Sequence, residues 1–102
     1  MNKEEKGLVV RKIANYIIND LLYEQITSVE MGTIALDVAK DTLTPDPRRT
    51  TSGMAPFHDL KADPKEIEEI ARLAVIGVSE DSRVIVTRNP SGNAMWFARK
   101  SR

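Results

Sequence analysis

Two periodicities divide this chain, and they occupy separate parts of it. From "EEKGLVVRKIANYIINDLLYEQ" through "ADPKEIEEIARLAVIGVSED", apolar residues return at three- and four-residue steps, the period of a helix with a buried stripe. After that, in "RVIVTRNPSGNAMWFARK", β-branched and aromatic runs flank a cluster of turn formers, the pattern of a β-hairpin. Helices first and strands last predict an α+β fold: a three-helix core with a C-terminal β-hairpin. At 102 residues the chain is expected to form one domain, 1–102, with a single modest core.

The helix boundaries are written locally. Helix 1 is expected over 4–23, with Val10, Ile13, Ala14, Ile17, Ile18, Leu21 and Leu22 as its stripe. Arg11, Lys12, Asn15, Asn19 and Asp20 fall on the other side, while Val9 and Tyr16 widen the apolar face. Helix 2, over 28–42, opens with a capping box in which Thr27 and Glu30 satisfy each other's amides, with Ile26 and Met31 placed as a hydrophobic staple. Helix 3 opens with Asp63 as N-cap, Pro64 in the first turn and Glu66 closing a second box. Ile67, Ile70, Ala71, Ala74 and Val78 form its stripe, broadened by Leu73 and Ile76, and Gly77 is expected to end it as a left-handed cap.

Between helices 2 and 3 lies a long loop, 43–62, in which Pro45, Pro47 and Pro56 remove backbone donors. Arg48 and Arg49, with Thr50, Thr51 and Ser52, make a donor-rich patch there, and Met54, Phe57 and Leu60 are expected to pin the loop to the core. In the hairpin, "NPSGN" is expected to supply a loop of five residues or slightly fewer, with Pro90 fixing the first bend and Gly92 able to take a positive φ. Alternation puts Val84 and Val86 on one face and Ile85 and Thr87 on the other; Met95 and Phe97 oppose Ala94, Trp96 and Ala98.

Several function classes find no support. There is no Cys, so there is no disulfide framework or thiol chemistry, which fits a reducing, cytoplasmic setting. His58, beside Asp59, is the single imidazole and is expected to be a surface loop residue. Nucleotide-binding loops and the GxSxG elbow are absent. No signal-peptide block opens the chain, and no stretch approaches the roughly 20 apolar residues of a membrane span. The expectation is a non-enzymatic protein without cofactor, metal or small-molecule substrate.

Charge is where the sequence becomes specific. The chain is neutral, with 15 basic and 15 acidic side chains. Residues 1–81 carry ten basic and fifteen acidic side chains, a net of −5, whereas residues 82–102 carry Arg83, Arg88, Arg99, Lys100 and Arg102 and no acid, a net of +5. Such segregation can steer a polyanion onto one face.

The order of elements, with "ITSVEMGTIALDVA" leading from a short extended piece into helix 2 and "EEIARLAVIGVSEDSRVIVTRNPSGNAMWFARK" passing from helix 3 into the hairpin, resembles the winged helix-turn-helix superfamily. The resemblance implies that the extended piece adds a third strand and that the hairpin is a wing. It also implies duplex DNA as partner. The wing residues that carry over are Arg83, Arg88, Asn89, Ser91, Asn93 and Arg99, with Lys100 and Arg102 in the tail, aided by Arg48, Arg49 and Lys61 from the loop. Such residues contact phosphates, which positions a protein without reading bases. The third helix departs from the family pattern: Glu66, Glu68 and Glu69 make its start acidic, and the Pro-rich loop replaces a tight turn.

Two other readings compete. One is a protein-interaction module or homodimer using the acidic helix 3 or the wide helix 1, with Val9, Tyr16 and Leu22 as apolar surplus. The other is single-stranded nucleic acid, with Trp96 or Phe97 stacking on bases beside Arg88 and Arg99.

Overall fold

The computed structural model describes residues 2–22, 25–43 and 62–98. Three helices carry a small three-stranded antiparallel sheet. Helix α1 spans Lys3–Tyr16 and runs on into a π-helical turn, Ile17–Leu21. Strand β1 is Ile26–Thr27, α2 is Ser28–Leu43, α3 is Pro64–Glu80, β2 is Val84–Arg88 and β3 is Ala94–Ala98. The strand order is β1-β3-β2, so the last strand lies in the middle. Ile26 stands opposite Trp96, and Val86 stands opposite Trp96 on the other side.

All three helices begin with reciprocal caps. In α1 the Asn2 side chain accepts from the Glu5 amide at 2.8 Å, and Glu5 accepts from the Asn2 amide at 3.0 Å. In α2 the Glu30 amide donates to Thr27 Oγ1 at 3.5 Å, and the Thr27 hydroxyl donates to Glu30 Oε1 at 2.8 Å. In α3 Asp63 Oδ1 accepts from the Glu66 amide at 2.8 Å, with Pro64 in the first turn. Each box satisfies amides that a helix start leaves unpaired.

The core lies where the helices and one face of the sheet meet. Val9, Ile13 and Ile17 of the first helix face Met31, Ala35 and Ala39 of α2 and Ile70, Ala74 and Val78 of α3, closed by Val84 and Trp96. Helices α1 and α3 run side by side in the same direction, for Lys6 meets Glu69 at 3.0 Å and Ala14 lies against Gly77. Thr42 is the buried polar side chain among the described residues, and its hydroxyl donates to the Val38 carbonyl at 2.7 Å.

Three expectations need correction. Gly77 does not end α3, which continues to Glu80. A Cβ at Gly77 would stand 3.4 Å from the Ala14 Cβ, so the glycine serves close helix approach. The first helix is not α-helical to its end: the Leu22 amide donates to the Ile17 carbonyl at 2.8 Å, one residue further back than an α-helix would use. Val9 and Leu22, read as apolar surplus, are 0% and 1% exposed, so this chain's own core consumes them. The Pro-rich loop, with Arg48, Arg49, His58 and its apolar pins, lies outside the described residues.

Candidate nucleic-acid interface

The hairpin is built as its composition demands. Its loop is Asn89–Asn93, closed by the Asn89 amide donating to the Asn93 carbonyl at 2.9 Å and the Gly92 amide donating to the Asn89 carbonyl at 2.8 Å. The Asn89 side chain adds an acceptor for the Asn93 amide at 2.9 Å. Gly92 takes φ +85°, a conformation that L side chains rarely adopt.

Pairing confirms the alternation: Val84, Val86, Ala94 and Trp96 share one face, with Ile85, Thr87, Met95 and Phe97 on the other. Trp96 is 6% exposed, and its Nε1 donates to Ser79 Oγ at 2.8 Å while that hydroxyl donates to the Val75 carbonyl at 2.8 Å. Trp96 therefore joins the sheet to α3 and presents no stacking face to a base. Phe97 lies on the opposite face, partly exposed. Along β2 the inward face empties quickly: Val84 is 5% exposed, whereas Val86 is 42% exposed. The strand has left the helical layer by its third residue.

Arg83 is not the unbalanced cation that the charge run suggests. Asp81, two residues earlier, accepts from its Nε at 2.9 Å, from its second guanidinium nitrogen at 2.9 Å and from its backbone amide at 2.8 Å. The guanidinium also donates to Asn15 at 2.8 Å and Asn19 at 3.2 Å on the first helix. These side-chain hydrogen bonds, then the backbone one, pull the Asp81 carboxyl down to about 2, and the same pairing raises Arg83. Arg83 thus fastens the root of the hairpin to the first helix. Asn15 and Asn19 were read only as outward-facing, although their four-residue spacing does place them on one stripe.

The tip is different. Arg88 is exposed and donates to the Gly92 carbonyl at 2.8 Å. Ser91 and Asn93 are exposed beside it, and Asn89 is half-buried in its turn-forming role. Arg88, Asn89, Ser91 and Asn93 are therefore brought together, and Arg83 is held apart from them at the root. Arg99, Lys100 and Arg102 lie outside the described residues.

The outer face of α3 offers no comparable surface. Lys65, Glu68, Glu69 and Arg72 are exposed there with Leu73 and Ile76, and Glu69 is paired with Lys6. No group of His, Cys, Asp or Glu among the described residues is placed to hold a metal, and no described helix is long and apolar enough to cross a membrane. Comparison with protein-family models, curated proteins and solved structures gives no match.

Proposed function

We propose that this chain is a winged-helix-like, non-enzymatic cytoplasmic domain that binds nucleic acid, duplex DNA foremost, as a regulator would, with the hairpin and its basic tail on the phosphates. The observation that carries the reading is the exposure of Val86 beside the burial of Val84. The edge strand β2 leaves the helical layer while Ala94 of β3 still packs against the core, and it takes Arg88, with Ser91 and Asn93 of the loop, to where a phosphate backbone can be reached. The strand order β1-β3-β2 supports the likeness to a wing. The charge division supports the choice of partner: with Arg83 neutralised at the root, the remaining positive charge belongs to the tip and the residues after it. The acidic and apolar outer face of α3 leaves base reading out of the proposal, so the contact is one of position and affinity.

The test is fluorescence anisotropy with random-sequence duplex and single-stranded DNA at two salt concentrations. Arg88→Gln combined with Arg99→Gln, Lys100→Gln and Arg102→Gln removes charge while leaving the Arg83 latch intact. Binding that weakens steeply with salt and is lost in this variant is expected. Each phosphate contact removed lowers the log–log salt slope by about 0.9 for a duplex. Absence of binding to either probe at low salt overturns the proposal.

A further inference from the structure

The groove between α1 and α3 points to a second copy of this chain. It is lined by Gly7, Val10 and Gly77 together with Leu73 and Ile76, which remain 36% and 48% exposed. Exposed branched side chains beside a groove that two glycines keep open give both halves of a contact, a ridge and a place to receive one.

Charge selects the occupant. Because α1 and α3 run in the same direction, the groove has a basic end and an acidic end. Lys3 lies at the N-terminal end, beside the Lys6–Glu69 pair whose charges offset each other, and Glu80 lies at the C-terminal end, with the apolar residues between them. A surface with opposite charges at its two ends and an apolar centre is complementary to itself after a half-turn. We infer that two copies dock through this face about a two-fold axis, with α3 against α3, Leu73 and Ile76 of each in the groove of the other, and each Lys3 opposite the partner's Glu80.

The contact is isologous, so every pair occurs twice and every substitution is felt twice. It also accounts for the composition of the outer face of α3, which then faces a protein. The inference does not depend on nucleic-acid binding, because it uses none of the hairpin residues.

Sedimentation velocity of the full chain across a concentration series tests it. A dimer of two 11.4 kDa chains is expected, and Ile76→Asp should yield a monomer with an unchanged circular dichroism spectrum. The orientation is tested by charge. Lys3→Glu alone and Glu80→Lys alone should each weaken dimerisation roughly three- to tenfold, because each places like charges together twice. An equimolar mixture of the two variants should recover it, since a heterodimer restores an opposite-charge pair at both positions. A chain that stays monomeric at hundreds of micromolar overturns the inference. So does a dimer indifferent to Ile76→Asp, and recovery absent from the mixture overturns the two-fold arrangement.

Discussion

Trp96 Nε1 and Ser79 Oγ lie 2.8 Å apart, and this bond ties the middle strand of the sheet to the last turns of α3. The indole fills the space between sheet and helices, and the serine hydroxyl in turn donates a hydrogen bond to the Val75 carbonyl. Trp96→Ala should therefore cost about 3–5 kcal/mol of stability, and Trp96→Phe, which keeps most of the volume but loses the donor, roughly 1–2 kcal/mol. Urea denaturation measures both. Equal losses would mean that the lost donor, and not the lost volume, carries the effect, whereas no loss in Trp96→Phe would mean that the hydrogen bond contributes little.

The Asp81–Arg83 pair sets a pH dependence. Asp81 titrates near 2 in the folded chain against an ordinary value of 3.8, so its contribution is present above about 4 and fades as the pH falls towards 2. A quarter of the Asp81 side chain is exposed, and solvent screening limits the effect to about 1 kcal/mol. Asp81→Asn should lower stability by that amount at pH 7 and by almost nothing at pH 2. A difference that persists unchanged at pH 2 would assign the loss to something other than this charge.

The helical glycines should divide. Gly32 is exposed, and an added Cβ there would meet nothing within 4 Å, so Gly32→Ala should stabilise by about 0.5–1 kcal/mol through helix propensity alone. At Gly77 the neighbouring Ala14 Cβ is 3.4 Å away, and Gly77→Leu should force α1 and α3 apart at a cost of roughly 1–3 kcal/mol. Thermal melts of the two variants moving in opposite directions are the expected outcome.

At the hairpin tip, Gly92→Ala places a Cβ on a residue with φ +85° and should destabilise by about 1–2 kcal/mol. Amide exchange reports where: protection should fall at Asn89, Gly92 and Asn93 before it falls at Trp96.

These contrasts show what the sequence could carry. The caps at Thr27 and Asp63 were legible because both partners lie within one turn, and the Asn2–Glu5 box follows the same rule, though the boundary reading passed over it. The five-residue hairpin loop was legible because Pro90 and Gly92 restrict their own backbones. Gly77 was misread because the residue it packs against, Ala14, is on another helix. The fastening of Arg83 was hidden for the same reason: Asn15 is 68 residues away. Asp81 was within sight, but only its sidedness in the fold turns a nearby acid into a partner. Alternation gave the faces of β2 correctly, yet not the point at which the helical layer stops covering them.

The strand order has a kinetic consequence. Ile26 and Trp96 pair across seventy positions of chain, whereas the helical caps and the hairpin close over a few residues. Long loops close late because ordering them costs entropy before any contact is gained. The helices and the hairpin can form as local units, but β1 has no strand to join until β3 arrives. During synthesis the N-terminal helices must therefore wait, with the Trp96 side of their core uncovered, until β3 has left the ribosome.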